Sequence, residues 1–135
     1  ACGGVLRYVL QYSGMGDLIG DAVSTMSLPI VILAFIVAAL VRICVGSATV
    51  AMTMAAGIIA SIPGIADLSP LYLACTTAAV AGGATVCSHF NDSGFWLVKS
   101  LVGMDEKTTL KTWTIMETLV GGTGFVVALI ISFFA

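Results

Sequence analysis

The 135-residue sequence is poor in charge, because only 9% of its residues are Asp, Glu, Lys or Arg whereas 59% are apolar. A soluble domain carries about 25% charged residues, since its surface must be hydrated. Five basic and seven acidic side chains cannot cover a globule of this size, and the net charge of −2 comes without a basic cluster. These shortages exclude a soluble enzyme, a disordered tail and a nucleic-acid-binding protein. The sequence therefore predicts a membrane protein or a piece of one.

Patterns typical of metal sites and disulfides are also missing. The sequence has no C-x-x-C pair and no alternating Cys/His pattern, and each cysteine lies inside an apolar stretch: Cys2, Cys44, Cys75 and Cys87. We interpret them as small buried hydrophobic residues and expect no metal and no cofactor. The chain opens on Ala1 with no charged segment ahead of an apolar core, so we expect no signal peptide and a piece from within a longer chain.

Long apolar segments predict an all-α membrane protein built from transmembrane, re-entrant and broken helices. Residues 28–62 contain Arg42 as their only charged residue. One helix of about 35 residues would be about 50 Å long, whereas the hydrocarbon core of a bilayer is about 30 Å thick. We expect this segment to break at 46–49, where a glycine precedes two hydroxyl residues, giving half-helices over 28–45 and 50–62.

The other segments are predicted from the same length argument. Residues 1–27 lack an apolar run of about 20 residues and predict a re-entrant or broken segment, with an interfacial amphipathic segment as the alternative. Residues 71–90 predict a transmembrane helix whose small residues favour a place inside a bundle. Residues 97–112 predict a loop and residues 113–135 a last transmembrane helix, with Trp113 as an interface anchor. Three lysines in 97–112 predict that this loop is cytoplasmic and the C-terminus outside.

The predicted helix break is the first candidate site. A helix that starts inside a membrane presents free N–H groups and a positive dipole end, which suit an anionic group. The hydroxyls of Ser47 and Thr49 could bind carboxylate or hydroxyl oxygens there. Arg42 could attract the same anion, and it needs a partner or a cavity because arginine at membrane depth costs at least ~2.5–3.5 kcal/mol. The alternative is a continuous helix in which the hydroxyls bond back to the backbone and Arg42 reaches the interface.

A polar string at residues 88–94 is the second candidate site. An imidazole ordinarily titrates near neutrality and a partly desolvated carboxyl can do so, which makes His89 and Asp92 candidates for exchanging a proton. Asn91 and Ser93 offer neutral donors and acceptors suited to a hydroxylated substrate. The alternative is a hydrated helix end with a turn. Glu117 is interpreted as a structural or interfacial residue that reaches the lipid headgroups beside Trp113.

Two other classes of function remain open from these residues alone. Ser47 and His89 lie on separate apolar segments and could form the dyad of an intramembrane serine protease. That interpretation leaves residues 91–93 unexplained. A purely structural membrane subunit is the other alternative, and it needs neither a broken helix nor polar strings among apolar segments.

Several strings of this sequence resemble the gluconate permease (GntP) family of bacterial gluconate:proton symporters. The segment from Arg42 to Ala51 is similar to the family's arginine followed by GSATVA, and residues 88–96 and 109–118 are similar to its C-terminal stretch. The glycines of residues 1–4 and 13–16 also fit its glycine-rich broken segment upstream. Phe90 departs from the pattern, because a smaller aliphatic residue is expected there.

The resemblance implies a multi-pass transporter of the bacterial inner membrane, with inverted repeats and broken helices like those of the ion-transporter superfamily. The chain would be about the last third of a permease, and the remainder of that permease would complete the site. The implied partners are a small hydroxy-carboxylate such as gluconate, a proton and the lipid bilayer, with assembly into a homo-oligomer left open. No enzymatic reaction is implied. Substrate binding is assigned to Ser47, Thr49, Asn91, Ser93 and Arg42, and proton exchange to Asp92 or His89.

Overall fold

The computed structural model describes Tyr12 and residues 28–135, so the predictions for residues 1–27 lie outside the described residues except at Tyr12, which is exposed. Within the described part every regular element is helical, in agreement with an all-α membrane protein. The elements are α1 (Ile30–Val45), α2 (Ala48–Ile59), a 3-10 turn (Ile65–Asp67), α3 (Pro70–Thr85), α4 (Ser93–Val102) and α5 (Glu106–Ser132).

Helix α5 is the one described helix that is long and apolar enough to cross a membrane, by length and composition. It starts with an α-helical turn (Glu106–Thr109), passes through a π-helical segment (Leu110–Thr114) and continues as an α-helix (Ile115–Ser132). The helices α1, α2 and α4 are apolar but shorter. A π-helical turn holds an extra residue and is found frequently at functional sites. In α5 it lies near the N-terminal end of the helix.

Helix α3 lies between α1 and α5 at very close range. A Cβ atom on Gly83 would lie 2.3 Å from the carbonyl oxygen of Phe35 in α1, and one on Gly82 would lie 2.7 Å from the carbonyl oxygen of Gly121 in α5. Small side chains let helix backbones approach closely, and the resulting van der Waals packing favours association of helices in lipid. Fully buried alanines fill the rest of the interface: Ala34, Ala38, Ala79 and Ala84.

The long apolar segment 28–62 is divided into two helices. Helix α1 ends at Val45, and Gly46 adopts the left-handed conformation with φ of 79°, its N–H bonded to the carbonyl oxygen of Arg42. Ser47 is extended, with φ of −113°, and is the N-cap of α2. A left-handed glycine followed by an N-cap serine is a usual way to end one helix and begin another. The two helices are therefore separated only by Gly46 and Ser47.

The loop predicted for residues 97–112 is wrong for most of that range. Helix α4 extends to Val102 and ends at Gly103, which has φ of 72°, and α5 begins just after Asp105. The Asp105 carboxylate caps α5 by accepting from the N–H of Thr108 at 2.9 Å, and hydrogen bonds from Thr108 lower the pKa of Asp105 from its ordinary value. The charged residues that suggested a loop are the solvent-facing side chains and caps of two helices.

The cysteines differ in burial. Among the described residues Cys75 is buried, Cys87 is partly buried and Cys44 is exposed, each as a free thiol. The interpretation as a small buried hydrophobic residue is therefore wrong for Cys44. The buried positions of α1 recur every three or four residues up to Arg42, and Cys44, two residues further on, lies on another face of the helix.

Candidate functional site

Arg42 forms the centre of a buried polar cluster. Its side chain is only 3% exposed and continues the buried stripe of α1. Nη2 donates to Oδ2 of Asp92 at 2.5 Å, and Nη1 donates to the carbonyl oxygen of Gly46 at 2.5 Å. The alternative in which Arg42 extends to the membrane interface is therefore wrong. The partner that an arginine at membrane depth requires is Asp92, 50 residues further along the chain.

Both carboxylate oxygens of Asp92 are engaged. Oδ2 accepts from Arg42 and also from the Ser88 hydroxyl at 2.5 Å, and Oδ1 accepts from the N–H of Gly94 at 2.9 Å. Through this last bond Asp92 is the N-cap of α4. A buried ion pair is tolerated only when further hydrogen bonds satisfy its remaining atoms, and Ser88 and Gly94 supply two such bonds to the carboxylate. Asp92 thus joins α1, the loop 86–92 and α4.

Asn91 holds the loop against the helix break. Its Nδ2 donates to the carbonyl oxygen of Ile43 at 2.8 Å, which belongs to the last turn of α1, where carbonyls have no helical partner. A Cβ atom on Gly46 would lie 2.2 Å from the carbonyl oxygen of Asn91. The loop backbone is therefore in direct contact with the break, and only glycine fits at position 46.

The start of α2 faces outward from this contact. The Ser47 hydroxyl accepts from the N–H of Val50 over a long 3.4 Å, and the N–H groups of Ala48 and Thr49 have no hydrogen-bond partner among the residues that the structure describes. Ser47 is partly buried, whereas Thr49, Asn91 and Ser93 are exposed. The break therefore presents amide donors and hydroxyl groups on an accessible surface, the arrangement that binds anions at helix N-termini.

His89 lies in a constrained part of the loop. Within residues 28–135 Cys87 is the one non-glycine residue with positive φ, at 55°. Its carbonyl oxygen lies 2.7 Å from Nδ1 of His89, and its N–H donates to the Thr118 hydroxyl at 3.1 Å. Because a carbonyl oxygen can only accept a hydrogen bond, Nδ1 of His89 carries a proton in this contact. The other ring nitrogen, Nε2, takes no part in it.

The π-helical segment of α5 contacts the loop 86–92. The sequence does not predict this contact. The indole N–H of Trp113 donates to the Ser88 hydroxyl at 2.8 Å, and the Thr114 hydroxyl donates to the Ser88 carbonyl oxygen. Ser88 is buried and donates a hydrogen bond from its own hydroxyl to Asp92. Trp113 was predicted to anchor the interface, but its polar atom is used in this contact. The only sequence signal for Ser88 is its place in the polar string.

Phe90 lies at the rim of the site. Its ring contacts those of Phe95 and Trp96, with centroids 5.3 and 6.3 Å apart, and the indole N–H of Trp96 donates to the Phe90 carbonyl oxygen at 2.8 Å. Phe95 is fully buried whereas Phe90 is half exposed. The large ring at position 90 thus ties the loop to α4 beside Asn91.

Other kinds of site find little support in the part of the chain that the structure describes. Ser47 and His89 bond to Val50 and Cys87 respectively, so the protease dyad is not formed there. Residues 28–135 contain no group of three or more His, Cys, Asp or Glu side chains that could hold a metal ion. A cleft of about 460 Å³ between α2 and α3 is lined mainly by apolar residues and includes none of the predicted site residues.

Comparison with known proteins identifies similar sequences over almost the whole chain. A model of the family described as "GntP family permease" matches residues 1–134. The chain is 45% identical to the low-affinity gluconate transporter of Escherichia coli (strain K12) over 128 residues, which is 95% of this chain and 29% of that protein. It is 39% identical to the gluconate permease of Bacillus subtilis (strain 168), with 94% of this chain and 28% of that protein covered.

A third relative has a different name. The chain is 38% identical to the Gnt-II system L-idonate transporter of Escherichia coli (strain K12), with 98% of this chain and 29% of that protein covered. The chain thus spans less than a third of the length of each of these relatives. No solved structure gives a significant match.

Proposed function

Because the chain belongs to the GntP permease family, we propose that it forms part of a transporter that carries a small hydroxy-carboxylate across the bacterial inner membrane. Its relatives are named for gluconate and L-idonate, which are both sugar acids. The substrate is moved without chemical change, so the transporter is not an enzyme. A purely structural subunit is disfavoured, because the matched relatives are named as transporters and permeases.

The site that we propose for the substrate is the accessible face of the helix break. The substrate carboxylate binds the free N–H groups at the start of α2 together with the hydroxyls of Ser47 and Thr49. Asn91 on the loop and Ser93 at the start of α4, both exposed, bind the substrate hydroxyls. Arg42 supplies attraction for the anion. The observation that carries this proposal is the left-handed Gly46, which separates α1 from α2 next to a buried guanidinium.

The remaining steps involve the rest of the permease. The substrate enters together with a proton, which is exchanged within the polar cluster, and Asp92 and His89 are the residues that the sequence predicts for that exchange. Further membrane-spanning segments outside this chain complete the site. Movement of the broken-helix unit against them alternates access to the two sides of the membrane. Assembly of several copies is compatible with this scheme and not required by it.

Removing the Ser47 hydroxyl tests the site. The full-length permease in proteoliposomes is expected to take up labelled gluconate, and Ser47→Ala is expected to raise KM about tenfold or more. A hydrogen bond to a charged group contributes about 1.5–3 kcal/mol, and each 1.4 kcal/mol is about a factor of ten in affinity. Uptake at several gluconate concentrations gives the KM of each variant.

A matched control makes the same chemical change elsewhere on the chain. The Ser61 hydroxyl donates to the Ile58 carbonyl oxygen at 2.6 Å, beyond the far end of α2. Ser61→Ala is expected to leave KM unchanged. Equal KM values for Ser47→Ala, Ser61→Ala and the unmodified permease would remove Ser47 from the site, and absence of gluconate uptake by the unmodified permease would contradict the proposed substrate class.

A further inference from the structure

Glu117 lies on the face of α5 that packs against the loop 86–92. Trp113 and Thr114, four and three residues earlier, both contact Ser88, and Gly121, four residues later, packs against the backbone of Gly82. Residues three or four apart on a helix share a face, so Glu117 stands between these contacts. The side chain is partly buried.

The carboxylate of Glu117 is near the ion pair but is not part of it. Glu117 shares its face of α5 with Trp113 and Thr114, and their common partner Ser88 donates a hydrogen bond to Asp92. No hydrogen bond or salt bridge from the residues described in the structure reaches its oxygens, whereas three donors hold the Asp92 carboxylate. Asp92 is therefore fixed as an anion by its surroundings, and Glu117 is the carboxyl group of the cluster that is left to change its protonation.

Arg42 has N–H donors that make no hydrogen bond with the described residues. A guanidinium has five N–H donors, and the hydrogen bonds of Arg42 in the described structure use one on Nη1 and one on Nη2. Its Nε is buried and has no hydrogen-bond partner among the described residues. A buried donor without a partner is rare and calls for a water or a ligand. The guanidinium therefore keeps N–H donors beyond those that hold Asp92 and Gly46.

The net charge of these groups indicates where the proton that accompanies the substrate binds. One guanidinium and two carboxylates give the cluster a net charge of −1, and a substrate carboxylate would bring it to −2 within a partly buried space. A proton on Glu117 cancels that added charge. We propose that Glu117, in place of the Asp92 or His89 that the sequence predicts, carries the coupling proton, while Asp92 stays ionised as the fixed partner of Arg42. The proton binds a carboxylate oxygen of Glu117 when substrate binds and leaves as H⁺ on the other side of the membrane.

Few other charged or titratable groups come from the elements that pack against α5. Helix α3 contributes no charged side chain, and Lys99 of α4 is paired with Glu106 at the start of α5, Nζ to Oε1 2.6 Å. The remaining groups on α1, α3 and the loop 86–92 are the charged Arg42 and Asp92, the imidazole of His89, the phenol of Tyr72 and the thiols of Cys44, Cys75 and Cys87. Because the inference rests on the proposed function, its test must separate substrate transport from proton coupling.

The test compares exchange with proton-driven accumulation in the full-length permease, using labelled gluconate in proteoliposomes. Glu117→Gln is expected to keep gluconate counterflow, which needs no net proton movement, and to lose accumulation driven by a pH gradient. The control is Glu106→Gln, which removes an exposed carboxylate paired with Lys99 outside the cluster and is expected to keep both activities. Accumulation by Glu117→Gln at the level of the unmodified permease would overturn the inference.

Gluconate binding to the detergent-purified permease gives a second readout. The Kd of the unmodified permease is expected to rise about tenfold per pH unit above the pH at which the coupling group titrates, because one proton is linked to binding. The Kd of Glu117→Gln is expected to be independent of pH, and Glu117→Asp should restore the dependence. A Kd for Glu117→Gln that follows pH as in the unmodified permease, or loss of both binding and counterflow, would overturn the inference. No transport or binding of gluconate by the unmodified permease would contradict the proposed function instead.

Discussion

Gly46→Ala is expected to prevent the permease from reaching a stable folded state. The left-handed conformation of Gly46, with φ of 79°, costs a residue with a Cβ atom about 1–2 kcal/mol. The new Cβ would also lie 2.2 Å from the carbonyl oxygen of Asn91, a backbone atom that cannot rotate away. The loop would have to move, and both the Asn91 bond to Ile43 and the Arg42–Asp92 pair would be lost. The expected measurement is a large fall in folded yield and in the Tm of the purified permease.

A second glycine of the same conformation provides the control. Gly64 has φ of 78°, but a Cβ atom there would meet nothing within 4 Å. Gly64→Ala should therefore show the conformational cost alone, about 1–2 kcal/mol. Similar Tm values for the two variants would show that the loop does not contact the break as closely as the structure indicates.

Breaking the Arg42–Asp92 pair is expected to have the next largest effect on stability. The side chains are 3% and 10% exposed, so Arg42→Met leaves the Asp92 carboxylate buried without its cation. Removing one partner of a buried ion pair typically costs 3–5 kcal/mol, about half of the net stability of a protein of ordinary size. Asp92→Asn is expected to cost a similar amount, because it leaves the guanidinium unpaired.

The double variant separates stability from transport. Arg42→Met with Asp92→Asn leaves no unpaired charge and is expected to regain most of the lost Tm, while gluconate uptake stays absent because the guanidinium is missing. Lys99→Met breaks an ion pair that is much more exposed and should change the Tm little. An Arg42→Met variant as stable as Lys99→Met would contradict the buried pair.

The position of the helix break could be predicted from the sequence, whereas the partner of Arg42 could not. Chain length against bilayer thickness requires a break, and Gly46 with Ser47 provides both a helix end and an N-cap. An arginine at membrane depth requires a partner, but the sequence alone does not select Asp92 from the other acidic residues. That choice depends on how the loop packs against the end of α1, which is a property of the tertiary structure.

The contacts around Ser88 and the helices near residue 103 were missed for different reasons. No sequence pattern marks the π-helical segment that directs Trp113 and Thr114 toward Ser88, so these contacts could not be predicted from the sequence. The helix boundaries were within reach, because Gly103 is a typical helix end and Asp105 a typical N-cap. The charge density of residues 97–112 favours a loop, although exposed helix faces carry the same residues.

The accessible helix break is tested most directly by substrate protection of a cysteine placed on it. Thr49 is exposed in the first turn of α2, so Thr49→Cys can be labelled with a maleimide in a full-length permease otherwise free of reactive cysteines. Saturating gluconate is expected to slow the labelling several-fold, whereas glucose, which lacks the carboxylate, should not, and Asp67→Cys in the exposed turn after α2 should be unaffected. Labelling of Thr49→Cys at the same rate with and without gluconate would contradict binding at the break.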